Sequence, residues 1–457
     1  MRIKISSLIL VFCLILGSLF VLSSCIMNES VGIVDAKINK DGELVLFYSN
    51  GDSQNVGSVV GENGADGKDG SDGKDGVDGS YGSDGGDNAS SQIIINGESS
   101  IAAASAKGLR SAVSISCVYR SMSSQSGRYP GSGGGTSSEY SASGSGVIYK
   151  LNKSSGDAFI ITNYHVVYDS NSNTSNGISD DISVYLYGSE TAEQAIKATY
   201  VGGSPYYDIA VIRVDDSEIL KNSNATQIEV CDSDTVVVGN SAIAIGNAQG
   251  YGISASFGIV SVDSEYITMS SVDGKSEVSF RVMRIDTAVN SGNSGGGLFD
   301  DKGRLIGIVN AKIVEDGVEN IGYAIPSNVA VSIAENIIDY CYGKSVERVQ
   351  RAILGIKVIS SDSSAVFDSQ TGLISIKETV SVYEVTKNSL ADGVLQTGDV
   401  LVSATLKGDT TVIARQYHII DMMLDVRAGD TVTLNIIRGE EEKTVSIIIT
   451  ENCLTEY

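Results

Sequence analysis

From about residue 100 onward the chain is written in short apolar runs separated by glycine, serine, asparagine and aspartate. Ala112-Val113-Ser114-Ile115-Ser116-Cys117-Val118 alternates with a period of two, which predicts a strand with Cys117 on its buried face. Ile161-Thr162-Asn163-Tyr164-His165-Val166-Val167 places a histidine at the end of an apolar strand. Asp208-Ile209-Ala210-Val211-Ile212 places an aspartate at the head of another. Helical spacing is confined to two stretches, Ile333 to Tyr342 and His418 to Val426. In the second, Ile419, Met422, Met423 and Val426 share one side. Val432 to Ile437 and Lys443 to Ile449 read as a hairpin around Gly439. Nearer the start, Val34 to Ile38 and Leu44 to Tyr48 flank Asn39-Lys40-Asp41-Gly42, an Asp-Gly turn signal. That hairpin is too small to stand alone in water.

The first residues carry a different pattern. Arg2 and Lys4 precede an apolar core from Leu8 to Val21, and Leu22-Ser23-Ser24-Cys25 follows. This is a targeting segment and takes no part in the fold. A bacterial lipobox, with Cys25 as the lipid-bearing residue, competes with an ordinary signal peptide or a short span. The apolar stretch is short for a span, and Cys25 sits where a lipobox needs it. From Gly61 to Gly85 a glycine recurs every third residue, with Asp often before the next one. The period is collagen-like, yet the run has no proline, so a flexible acidic linker fits as well. Extended, it would span roughly 80 Å at about 3.1 Å per residue. Ser121 to Ser145 is polar and glycine-rich and reads as a long mobile loop.

Composition narrows the classes. With 3 Pro, 51 Gly and no Trp in 457 residues, strands and turns are favoured over long helices. A net charge of −24 excludes a nucleic-acid partner recognised through phosphates. It also excludes polybasic docking to anionic lipid. Cys117, Cys231, Cys341 and Cys453 remain after the leader and the lipid site; their pairing is open. They are scattered, without the spacing of a zinc site, and no metal or organic cofactor is expected.

Gly292-Asn293-Ser294-Gly295-Gly296 carries the chemistry. It puts a serine on a glycine-rich turn whose N–H groups can converge on one point, as an acyl-transfer nucleophile with an oxyanion hole requires. Ser294 is the candidate nucleophile, His165 the general base and Asp208 the group that orients the imidazole. The oxyanion hole would be built at Gly292, Asn293 and Ser294, with the N–H groups of Gly292 and Ser294 as donors. The order His, Asp, Ser is that of chymotrypsin-type barrels. Taken singly each residue has an ordinary structural explanation. Three local patterns in one order, in a chain with only 2 His, do not.

These blocks, with Ile321-Gly322-Tyr323-Ala324-Ile325-Pro326, resemble the HtrA/DegP family of serine proteases. Leu354-Gly355-Ile356 and Gly398-Asp399-Val400-Leu401 resemble the carboxylate-binding loop and second signature of that family's PDZ domain. The resemblance runs from about residue 100 to the end. It implies a mostly β protein with a chymotrypsin-like double β-barrel (100–345) followed by a PDZ-like domain (352–455). Before these come the lipoprotein signal (1–24), a hairpin module (25–60) and the collagen-like spacer (61–99). It further implies a trimer and quality control of unfolded proteins in the envelope, on the extracytoplasmic face of the membrane. The PDZ-like unit would bind C-terminal peptides through Leu354, Gly355 and Ile356. His418 would either meet the peptide at the helix start or simply be solvated there. The spacer, the Ser121–Ser145 insertion and the single PDZ-like unit depart from the family pattern.

Six residues before the serine, Ala288 occupies the position that floors the S1 pocket in chymotrypsin-like folds. A small neutral residue there implies small or medium apolar side chains in S1. Two other functions remain compatible with the residues. One is a secreted protease with a dedicated host or surface substrate. The other is a non-proteolytic lipid-anchored chaperone or adhesin-like binder.

Overall fold

Two barrels, each closed from six antiparallel strands, occupy the middle of the chain. They belong to a computed structural model that describes residues 33–40, 43–58, 101–123, 136–189, 191–311 and 321–457. The apolar leader, Cys25 and the Gly-x-y run lie outside the described residues.

Residues 33–58 form a sheet of their own: β1 (Ile33–Ile38), β2 (Glu43–Tyr48) and β3 (Ser53–Ser58), paired in that order. The expected hairpin is therefore a three-stranded meander. The sequence Ser-Gln-Asn-Val-Gly-Ser of β3 has no apolar alternation to announce it. Its pairing with β2 runs through the backbone.

The rest of the described chain opens with helix α1 (Ile101–Leu109). The first barrel is β4 (Ala112–Ser123), β5 (Thr136–Asn152), β6 (Asp157–Thr162), β7 (Asp181–Leu186), β8 (Ile196–Ser204) and β9 (Ile209–Val214), closed in the order β4-β5-β6-β9-β8-β7. The second is β10 (Ser241–Gly246), β11 (Ser254–Ser270), β12 (Glu277–Ile285), β13 (Gly297–Phe299), β14 (Leu305–Val309) and β15 (Gly322–Pro326), closed as β10-β11-β12-β15-β14-β13. Several strands are apolar on both faces, and the period of two explains why. On β9, Ala210, Ile212 and Val214 fill the first barrel, while Ile209 and Val211 face a core shared with the second. On β10, Ala242 and Ala244 fill the second barrel, while Ile243 and Ile245 face the shared core. The shared core also takes Ile333 and Ile337 of helix α4 (Ser327–Tyr340), which begins directly after Pro326.

Both ends of the long loop expected over Ser121–Ser145 are strand, and residues 124–135 lie outside the described residues. β4 pairs with β5 from Ala112 opposite Val147 to Ser123 opposite Thr136. Serine-rich sequence hides a ladder made of backbone hydrogen bonds, and one cross-strand aromatic pair, Tyr119 on Tyr140 at 5.6 Å, supports it. Cys117 is fully buried, as its alternation predicts, and burial pushes its thiol up to about 12. All four described cysteines are free thiols.

The C-terminal unit is a sheet in the order β17 (Ile356–Phe367), β18 (Ile374–Val385), β19 (Val400–Leu406), β21 (Thr431–Arg438), β22 (Glu441–Ile448), with β20 (Asp409–Val412) on β19. A separate pair joins β16 (Gln350–Ala352) to β23 (Leu454–Glu456). Helix α5 covers Gln416–Met422, earlier and shorter than its apolar spacing predicts; His418 is its third residue and turns its side chain back onto the helix start. The His418 Nδ1 accepts the N–H groups of Arg415 (3.1 Å) and Ala414 (3.2 Å).

This unit is bolted to the second barrel by charge. The Arg281 guanidinium, 2% exposed, is 2.9 Å from Asp234 and 3.0 Å from Asp421 and lies 3.9 Å over the Tyr417 ring. Arg415 reaches Asp263 at 2.7 Å. Asp234 Oδ1 accepts from both terminal nitrogens of Arg281. Burial pushes Asp421 up to about 7, against the pull of Arg281.

Candidate active site

The end of β6 and the head of its sheet neighbour β9 set the first half of the site. Helix α2 (Tyr164–Val167) is a single turn after β6 that carries His165. Asp208 immediately precedes β9 with φ 55, a left-handed backbone unusual for a residue with a side chain. From that conformation its carboxylate meets His165 twice. Oδ1 accepts the His165 backbone N–H at 2.9 Å, and Oδ2 lies 2.6 Å from the ring Nδ1. A carboxylate beside Nδ1 assigns the ring proton to that nitrogen and leaves Nε2 as an acceptor.

Two asparagines that sequence reasoning missed complete this half. Asn310 Nδ2 donates to Asp208 Oδ2 at 2.8 Å, and Asn163 Nδ2 donates to the Asp208 carbonyl at 2.8 Å. Asn163 lies two residues before the histidine and was readable as part of its block. Asn310 follows β14 and has no local signal; only the fold brings it to Asp208.

The second half is the turn before β13. Ser145 clips it to the first barrel: its N–H donates to the Ser294 carbonyl (2.8 Å) and its Oγ donates to the Gly292 carbonyl (2.6 Å). Two glycines are obligatory here. Gly292 has φ 95, and a Cβ on it would collide with the Asn247 carbonyl. Gly295 has φ 83, and a Cβ on it would collide with the Ser145 carbonyl and come within 3.0 Å of the Asn163 nitrogen. The serine turn is thus packed at Gly295 against the backbone of Ser145 and Asn163 and the Thr162 hydroxyl.

Ser294 Oγ accepts the Ala311 N–H at 3.2 Å, next to the Asn310 that holds Asp208. No hydrogen bond joins it to His165 among the described residues; the His–Asp pair is formed and the Ser–His link is open. The N–H groups of Gly292 and Ser294 have no acceptor among the described residues, as donors awaiting an oxyanion would not. Asn293 is different. Its N–H is committed to Asn290 O at 3.0 Å, so its place in the expected oxyanion hole is corrected to support of the turn. Ala288 is exposed, and its carbonyl accepts Ser256 Oγ at 2.8 Å. Asp286, just after β12, is held against β11, accepting the Ile259 N–H at 2.6 Å.

On the C-terminal unit, Leu354, Gly355 and Ile356 line a cavity of about 420 Å³. Its other wall is α5 and the residue after it, with Gln416, Ile419, Ile420 and Met423 at helical spacing. β17 is an edge strand of the sheet. His418 does not line this cavity. It caps the helix, and burial pushes its imidazole below the usual histidine range. The expectation of a peptide-contacting His418 is corrected: Gln416 occupies the helix-start position on the groove.

A double barrel with His and Asp in one half and a glycine-cradled Ser in the other, followed by a groove-bearing β unit, defines a trypsin-like serine peptidase joined to a PDZ domain. The comparisons agree. The trypsin-like peptidase domain family matches residues 144–308 and the PDZ domain family residues 352–449. The chain is 31% identical over 379 residues to the serine protease Do-like HtrA of Lactococcus lactis subsp. cremoris, covering 79% of this chain and 85% of that protein. It is 30% identical over 320 residues to the periplasmic serine endoprotease DegP of Escherichia coli, covering 69% of this chain and 59% of that one. Among solved structures, an HtrA-type protease AlgW with decapeptide matches at TM-score 0.47 and 22% identity, over 78% of this chain and 99% of that chain. The chain belongs to the HtrA family of serine proteases and carries a C-terminal PDZ domain.

Proposed function

We propose that the chain is an extracytoplasmic endopeptidase that cleaves unfolded or misfolded proteins by Ser-His-Asp acyl transfer, with its PDZ groove binding exposed C-termini. Ser294 attacks the scissile carbonyl and His165 Nε2 takes its proton, later delivering it to the leaving amine. Asp208 holds the imidazole in the required tautomer and stabilises the imidazolium. The N–H groups of Gly292 and Ser294 receive the oxyanion. Small or medium apolar side chains enter S1 beside Ala288. The observation that carries this reading is the Asn310–Ala311 segment, which binds Asp208 with one residue and Ser294 with the next.

The groove supports the regulatory part. An edge strand beside an apolar cavity is the arrangement that adds a peptide as a further strand, with its carboxylate at Leu354-Gly355-Ile356. Localisation rests on the leader and on the periplasmic relative. In this reading Cys25 bears the lipid, the Gly-x-y run lifts the protease off the membrane, and a trimer is the working assembly. Cleavage of an unfolded protein by the leaderless chain, beside Ser294→Ala, with and without a peptide ending in an apolar residue, tests it. Cleavage lost in the variant and raised by the peptide is expected. Cleavage that survives Ser294→Ala contradicts the catalytic assignment, and peptide-independent cleavage contradicts the role of the groove.

A further inference from the structure

The backbone that presents Asp208 is braced by residues more than a hundred positions further along the chain. Asp208 sits in a left-handed conformation that persists only where its surroundings hold it. Tyr207, directly before it, is buried, and its hydroxyl accepts Arg351 Nη1 at 2.6 Å. Tyr206 donates through its hydroxyl to Ser279 O at 2.9 Å. The Tyr457 ring packs on Tyr206 at 4.6 Å, and the Arg351 guanidinium lies 5.0 Å over Tyr457. Below this cluster Gly203 exchanges backbone hydrogen bonds with Glu347 and Val349, and Tyr457 donates its N–H to Val349 O. The segment 347–352 and the β23 strand it pairs with therefore form the seat of the aspartate loop. Arg351 also lines the PDZ groove.

We propose that Arg351 and Tyr207 are positioning residues for the protease reaction. Arg351 fixes the Tyr207 side chain, and Tyr207 fixes the neighbouring backbone that aims the Asp208 carboxylate at His165. The brace stands on the groove wall, so the residue that holds the aspartate loop is one that an occupant of the groove would touch. The proposal rests on the assignment of Ser294, His165 and Asp208 made above.

The test uses Tyr207→Phe, Arg351→Met and Arg351→Lys in the leaderless chain. Two readouts are needed: kcat and KM on an unfolded substrate, and the proton NMR signal of the His165 Nδ1–H. A proton held at 2.6 Å between nitrogen and carboxylate is strongly deshielded. Imidazole ¹⁵N labelling is simple to read because the chain has 2 His. His418 is the internal control, since its Nδ1 is an acceptor and carries no such proton. Tyr207→Phe and Arg351→Met are expected to lower kcat about tenfold, the scale of one lost buried hydrogen bond. KM should stay within about twofold, and the His165 signal should move upfield or broaden. Arg351→Lys, which keeps a donor, should recover part of both. Wild-type kcat and an unmoved signal in folded Tyr207→Phe and Arg351→Met would overturn the proposal. So would a fall in melting temperature with neither change. If activity instead survives Ser294→Ala, the catalytic assignment fails, while the NMR signal still reports whether Arg351 controls the His165–Asp208 contact.

Discussion

The two halves of the site are built in opposite ways. On the first barrel's side Asp208 accepts from the His165 ring and backbone, and Asn310 reaches it from beyond β14 of the second barrel. In the second barrel the turn is tied down through its carbonyls, by Ser145 on Gly292 and Ser294, and the N–H groups of those two residues are left over. One half keeps a tautomer, and the other keeps vacancies for charge that appears only during reaction. A base must be oriented before substrate arrives, whereas an oxyanion hole has nothing to bind until the carbonyl is attacked. The open Ser294–His165 link lies at the seam between them.

Substitutions separate the halves. Asp208→Asn keeps the shape and removes the acceptor that assigns the His165 proton. It should lower kcat about 10⁴-fold and abolish the Nδ1–H signal, as tautomer control is lost; steady-state kinetics with NMR of the same sample checks both. Gly292→Ala attacks the other half, since a Cβ there meets the Asn247 carbonyl and displaces the turn. A loss of about 10²–10³ in kcat is expected, with the His165 signal intact. Were both variants to lose the signal, the halves would not be independent.

The smallest effect lies in neither half. Burial pushes Asp421 up to about 7 from an ordinary 3.8. A carboxyl raised in the folded state holds a proton that the unfolded chain has lost, so its stabilising contribution is present below about 4 and is lost as pH rises through about 7. Asp421→Asn should flatten the fall of melting temperature across that window and leave the protein more stable than wild type above it. The kcat should stay at the wild-type value. Thermal melts from acid to alkaline pH, paired with kinetics, check this.

Much of this was legible in the sequence. His165, Asp208 and Ser294 each sit in a local block whose residue types suit their place: strand end, strand head and glycine turn. The double barrel was implied by the resemblance these blocks carry, while the residues themselves announced only short strands. What escaped reading depends on contacts distant in sequence or on backbone alone. Asn310 and Arg351 act on the aspartate loop across the fold, and nothing local marks them. β3 and the start of β5 pair through main-chain groups beneath polar side chains. His418 was misplaced because helical spacing does not show which residue turns back to cap the helix. Asn293 was misplaced because a glycine turn read as a string does not say which of its N–H groups is already taken.

The most direct measurement is labelling with a fluorophosphonate, which phosphonylates only a serine activated by a base and an oxyanion site, followed by mass mapping of the adduct. The account predicts a single adduct on Ser294 in the leaderless chain, absent in Ser294→Ala and strongly slowed in Asp208→Asn. An adduct on another serine, or equal labelling of the wild-type and Asp208→Asn proteins, would contradict it.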